Sequence, residues 1–117
     1  MATYLINHLR IPGGVPNEGA LSYLEQVDAT LAAFGGKILA QSDPTVVEGA
    51  WPGSVVLIQF ADRATAEAWY NSPEYQRILP LRTNNSINDL ILVDSVADDF
   101  TMAGIAGYVR SLQAGAA

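Results

Sequence analysis

Cysteine is absent from this chain of 117 residues. That excludes disulfides, thiolate metal ligands and a cysteine nucleophile. Histidine occurs once, at His8, so a transition-metal site built on imidazoles is not expected either. Basic residues are few: six Lys and Arg stand against twelve Asp and Glu, for a net charge of -6. The six are scattered singly, which argues against nucleic acid and against an anionic membrane surface. No apolar run approaches the ~20 residues of a membrane span. The N-terminus lacks a basic region followed by a long apolar stretch, so no signal peptide is expected and the cytoplasm is the expected compartment. No glycine-rich phosphate loop and no nucleophile elbow occurs.

What the chain does contain is apolar surface. Hydrophobic residues make up 50% and charged residues 15%, the balance of a folded domain. The length suits one two-layer core. Thr3 to Ile11 reads as a strand, with Leu5, Leu9 and Ile11 on one face and Tyr4, Ile6, His8 and Arg10 on the other. Pro12-Gly13-Gly14 ends it. Leu21, Leu24, Val27, Leu31 and Phe34 then recur at helical spacing, with Asn17 as N-cap and Gly35-Gly36 as the stop. Lys37 to Gln41 is a short second strand, broken at Asp43-Pro44, with Val46 to Glu48 as a possible resumption. Ser54 to Phe60 is the clearest strand.

Asp62 caps a helix through Tyr70, and Ser72 caps another whose first residue is Pro73. That second helix is expected to end near Pro80. Ile87 to Val96 is the last strand. The order βαββαβ predicts an α+β, ferredoxin-like fold, its helices on one face of a four-stranded antiparallel sheet. The other face does not turn polar. In Ser54–Phe60 and in Ile87–Val96 both alternating sets are apolar, so both faces need cover. Apolar burial is worth ~25 cal/mol per Å², and the pattern predicts a homodimer formed sheet to sheet. Residues 1–96 form this domain. Residues 97–117 are expected to be a helical tail, capped at Asp98 or Asp99, packed on the body or on the partner subunit.

Several segments resemble, in order, the domain-of-unknown-function family thirteen-thirty. They include Tyr4-Leu5-Ile6, Gly35-Gly36-Lys37, Glu48-Gly49-Ala50-Trp51, Ala68 to Gln76 with its Trp-Tyr-x-Ser-Pro-Glu-Tyr-Gln octet, Arg82 and Ile91-Leu92-Val93. The resemblance implies a dimeric α+β barrel of the ferredoxin-like superfamily, whose members include cofactor-independent monooxygenases, polyketide cyclases and muconolactone isomerases. It implies no particular reaction. The chain departs from the family where Val93-Asp94-Ser95 replaces a usual Val-Glu-Gly, and the tail after Val96 lies outside the resemblance.

The candidate site residues are His8 and Arg82 as catalytic groups, with Glu48, Trp51, Tyr75 and Asn85 as substrate-binding groups. His8 is the side chain that titrates nearest neutrality and would serve as acid or base. A histidine satisfied inside a core or interface is the structural alternative. Arg82 could clamp a carboxylate or enolate, or pair internally with Glu48, Glu67 or Glu74. Glu48 and Trp51 flank a glycine turn, and Trp51 could equally plug the sheet edge. Tyr75 sits among core aromatics but needs a hydroxyl partner. Asn7, Gln59, Asn84, Asn85 and Asn88 could line a pocket or bond backbone. The expected function is binding or conversion of a small organic molecule without a metal or cofactor, by proton-transfer or enolate chemistry. The alternative is a non-catalytic ligand-binding or stress-related module.

Overall fold

The computed structural model describes residues 1–116; Ala117, the last residue of the expected tail, lies outside them. The elements are β1 (Thr3–Arg10), α1 (Glu18–Ala32), β2 (Lys37–Ser42), β3 (Ser54–Phe60), α2 (Arg63–Tyr70), α3 (Pro73–Thr83), β4 (Ile87–Asp94) and α4 (Met102–Ala116). The strands form one antiparallel sheet in the order β2-β3-β1-β4. This is the ferredoxin-like fold: β1 lies between β3 and β4, while α1 carries the chain from β1 to the edge strand β2, and α2 with α3 carries it from β3 to the edge strand β4.

Local chemistry sets the helix starts. The Asn17 side chain accepts from Ala20 N at 3.0 Å, Asp62 from Thr65 N at 2.8 Å and Ser72 from Tyr75 N at 3.2 Å. Each satisfies one of the orphan donors of a first turn. Gly35 stops α1 with φ of +66°, a conformation in which a Cβ would be strained. Gly53 is needed for a second reason. Its φ is +137°, and a Cβ there would run into the Leu9 carbonyl of β1.

Two helix boundaries differ from expectation, and β4 ends at Asp94 rather than at the expected Val96. Helix α3 continues past Pro80 to Thr83, and Asn84 N still donates to the Pro80 carbonyl at 2.9 Å. Proline removes only its own donor, and burial of Ile78 and Arg82 on the same helix offsets that loss. Helix α4 starts later than Asp98 or Asp99 would place it. Thr101 Oγ1 accepts from Gly104 N at 3.1 Å and takes the capping role. The segment after β2 does not resume as a strand: residues 43–53 form a loop on which Val47 is 94% exposed.

Antiparallel register divides the sheet cleanly. Thr3, Leu5 and Asn7 lie opposite Phe60, Ile58 and Val56 on one face. That face is covered by α1, α2 and α3, and its core is Leu5, Val27, Leu31, Ile58, Phe60, Trp69, Tyr75 and Ile78. Trp69 is anchored there by its indole N–H, which donates to Thr30 Oγ1 at 3.0 Å. The other face carries Tyr4, Ile6 and His8 beside Gln59, Leu57 and Val55 of β3, and Val93, Ile91 and Asp89 of β4. Among the described residues no helix covers it; Ile91 is 55% exposed. Helix α4 buries none of its residues from Met102 to Gly115.

Candidate functional site

Between α1, α3 and the helix-covered face of the sheet lies a cavity of about 360 Å³. It exists because small and aliphatic side chains meet there. Leu5, Asn7, Val56, Ile58 and Leu90 make the floor, and Ala20, Tyr23, Leu24 and Val27 of α1 make the roof. Trp69, Tyr75 and Arg82 close one side, and Asp43 stands on the lining from the loop after β2. Leu24, at the helical spacing of Val27 and Leu31, is 53% exposed and lines the cavity. The volume and the mostly apolar walls with a few polar groups suit a small organic molecule.

Arg82 is the cation of this cavity. It comes from the last turn of α3 and is only 6% exposed. Its Nε–H donates to the Tyr75 hydroxyl at 3.2 Å, which in turn shares a 2.8 Å hydrogen bond with the Tyr23 hydroxyl. The guanidinium carbon lies 6.0 Å from the centre of the Tyr23 ring. Among the described residues the ion pairs are Arg10–Asp89 and Arg63–Asp94. Arg82 therefore has no carboxylate partner, and the bridges to Glu48, Glu67 or Glu74 do not form. Burial works against its charge, but Tyr75, through its field and its hydrogen bond, and then Tyr23 and Tyr70 outweigh burial and raise its pKa. Burial is also the main reason the Tyr23 hydroxyl titrates far above its ordinary range, followed by the Tyr75 hydroxyl beside it. Tyr23 is thus a neutral donor and acceptor at any physiological pH.

His8 is elsewhere. It lies on the uncovered face of the sheet, with its ring stacked on Trp51 at 4.1 Å between centroids. Nε2–H donates to the Pro52 carbonyl at 2.9 Å, and Arg10 Nη1 donates to Nδ1 at 2.9 Å. Arg10 Nη2 also donates to Asp89 at 2.5 Å. That bond, before the general field of Arg10, lowers the Asp89 pKa. Both imidazole nitrogens are thus engaged, and Asp89 reaches His8 only through Arg10. The expected pairing of His8 as base with Arg82 as clamp is not assembled, because the sheet stands between them.

The other candidates divide. Tyr75 stays with Arg82 in the cavity wall. Trp51 covers His8 and donates its N–H to the Ser54 carbonyl at 3.3 Å. Glu48 is exposed on the loop 43–53. Asn85 is architectural: its Nδ2 donates to the Leu81 carbonyl at 2.7 Å and its Oδ1 accepts from Asn17 at 2.8 Å. It ties the end of α3 to the cap of α1.

Tyr23 and Asp43 were not singled out from the sequence. Tyr23 had a signal, since it shares a helical face with Ala20, Val27 and Leu31. Asp43 had none, because nothing local places a loop carboxylate at a cavity lined by three other elements.

A four-stranded antiparallel sheet in the order β2-β3-β1-β4 with helices on one face makes this an α+β protein of ferredoxin-like fold. The chain belongs to the family described as a domain of unknown function, DUF1330, which matches residues 2–96. No curated protein matches it. Among solved structures it is similar to a protein of unknown function from Rhodopseudomonas palustris, with 16% identity over 82% of this chain and 83% of that one, at a TM-score of 0.64. It is also similar to a dimeric ferredoxin-like protein of unknown function from Jannaschia sp. CCS1, with 14% identity, 81% and 100% coverage and a TM-score of 0.56. SnoaB, a cofactor-independent oxygenase from Streptomyces nogalater, aligns at 12% identity over 86% of this chain and 97% of its own, with a TM-score of 0.55. At such identities the likeness is one of fold.

Proposed function

We propose that the protein binds, without a cofactor, a small organic molecule bearing one acidic oxygen in the cavity under α1. Arg82 holds that oxygen, and Tyr75 and Tyr23 hold Arg82. The observation that carries this reading is a guanidinium 6% exposed, in an apolar wall, with no carboxylate to neutralise it. An unpaired buried charge is costly, and an anionic ligand removes that cost. The same field favours the ionised form of an enol or acid, which is the basis for proton-transfer or enolate chemistry, with Asp43, a carboxylate on the cavity lining, as base. A bicyclic carboxylate tests the reading. In calorimetric titration 2-naphthoate is expected to bind at least tenfold more tightly than neutral 2-naphthalenemethanol, and Arg82→Met is expected to erase the difference. Equal binding of acid and alcohol by the wild type would remove Arg82 from the site.

A non-catalytic binding module is the second reading, supported by the engagement of both His8 nitrogens away from the cavity. The two readings separate on 2-tetralone, whose α-hydrogens exchange in D2O once an enolate forms. Exchange faster than buffer that is lost in Arg82→Met supports turnover. Exchange at the buffer rate supports binding alone.

The uncovered face supports a homodimer. Ile6, Leu57, Ile91 and Val93 form an apolar surface that only another sheet of the same shape would cover along its whole width. The Jannaschia protein is described as dimeric. The exposed apolar side of α4, with Ile105, Val109 and Leu112, extends the surface available to the partner.

A further inference from the structure

Asn7 holds the one buried side-chain oxygen that lacks a hydrogen-bond partner among the described residues. The residue is 6% exposed, sits mid-way along the central strand and contributes to the cavity floor. Its cross-strand neighbours are Val56 and Leu90, and neither side chain can donate. A buried amide oxygen left without a donor is costly, so one kept on a residue that lines a ligand-sized cavity calls for an explanation.

The direction in which the amide faces is set by a relay with a fixed polarity. The Arg82 backbone carbonyl can only accept, so the Ser86 hydroxyl donates to it, at 2.6 Å. The Ser86 oxygen then accepts from Asn88 Nδ2, at 2.8 Å. That leaves Asn88 Oδ1 to accept from Asn7 Nδ2, at 3.0 Å. Rotating either amide would set two donors or two acceptors against each other. Asn7 must therefore turn its oxygen, an acceptor, away from Asn88, on a residue that lines the cavity floor. Because the relay begins at the Arg82 carbonyl, the acceptor and the cation belong to one bonded frame.

We infer that Asn7 Oδ1 reads a hydrogen-bond donor on the bound molecule, so that the ligand class is an apolar organic acid carrying a second O–H or N–H group. This rests on the cavity being the binding site, as proposed above. Arg82 recognises what is negative on the ligand, Asn7 recognises what can donate, and the aliphatic floor recognises the ring or chain between them. A ligand offering only an ether or carbonyl oxygen to Asn7 meets acceptor with acceptor and is rejected.

The test uses 2-naphthoate, its ring-hydroxylated positional isomers and the methyl ethers of those isomers, each titrated calorimetrically into the wild-type protein and into Asn7→Leu. At least one hydroxylated isomer is expected to bind about tenfold more tightly than 2-naphthoate, the order of one buried hydrogen bond. Its methyl ether is expected to show no gain. In Asn7→Leu the hydroxylated acid and its parent are expected to bind alike. The wild-type comparison of hydroxyl with ether stands whether or not the variant folds, which circular dichroism reports. If no isomer gains, if the ether gains as much as the hydroxyl, or if the gain survives Asn7→Leu, the assignment of Asn7 fails. Acids that bind through Arg82 with no hydroxyl preference overturn Asn7 alone. Failure of every acid to bind overturns the cavity reading with it.

Discussion

The Tyr75 hydroxyl joins Tyr23, at 2.8 Å, to Arg82, whose Nε–H reaches it at 3.2 Å. One oxygen thus links the cation of the cavity to α1 across the helix pair. Tyr75 itself is fully buried against Trp69, with ring centroids 4.0 Å apart. Tyr75→Phe keeps the packing and removes the link. It is expected to cost about 1–3 kcal/mol in urea unfolding, since the buried Arg82 and the half-buried Tyr23 each lose a partner. The same variant should weaken 2-naphthoate binding by freeing the guanidinium. An unchanged affinity would show that Arg82 is held by packing alone.

Arg82→Met is expected to separate binding from stability. The substitution removes an unpaired buried charge and keeps a flexible apolar chain of similar reach. Unfolding free energy should stay level or rise, while discrimination between 2-naphthoate and 2-naphthalenemethanol disappears. A large loss of stability instead would assign Arg82 to the fold.

The two tryptophans should report different places. Trp69 is 1% exposed in the core and Trp51 is 38% exposed over His8. In Trp51→Phe the remaining emission should be blue-shifted and resist acrylamide, and 2-naphthoate should still perturb it, because Trp69 lines the cavity. Trp69→Phe is expected to cost stability through packing rather than through Thr30, whose hydroxyl still donates to the Val27 carbonyl at 2.7 Å. Acrylamide quenching and urea unfolding of the two variants check this.

The uncovered face offers a test of assembly. A lysine at Ile6 or Ile91 would place a charge in the middle of a sheet-to-sheet interface, where a desolvated unpaired ammonium is not tolerated. Light scattering after gel filtration should find a dimer for the wild type and a monomer for the variant, with far-UV circular dichroism retained. A wild type that stays monomeric at high concentration would remove the dimer proposal.

Acid should weaken the fold in a defined direction. Asp94 is held below its ordinary pKa first by the Thr3 hydroxyl and then by Arg63, Asp89 by Arg10, and Asp62 by Thr65 at the head of α2. A carboxylate whose folded pKa is lowered stabilises the native state above its unfolded pKa, about 3.9. That contribution is lost as the pH falls from there through the lower folded value. The melting temperature should therefore be level from pH 7 to about 5 and drop below about 4. Asp94→Asn should flatten the drop, and added salt should shrink the difference, since these groups are exposed.

Much of the architecture was legible along the chain. Asn17, Asp62 and Ser72-Pro73 cap helices through bonds that span three residues, so nothing distant is needed to recognise them. The doubly apolar strands Ser54–Phe60 and Ile87–Val96 announced a sheet with more apolar surface than two helices could cover. Alternation along β1 even set His8 and Arg10 apart from Leu5 and Leu9. It could not say which of those faces the helices would take, because packing of α1 and α3 makes that choice. Once made, the choice put His8 opposite the cavity and Asn7 inside it. The pairing of Arg82 with Tyr75 rather than with Glu48 or Glu74, and the relay from the Arg82 carbonyl to Asn7, join residues up to 81 positions apart. Hydrogen bonds of that reach have no period and no local signature. Three-dimensional packing therefore assigned the chemistry of residues whose secondary structure the linear order already predicted.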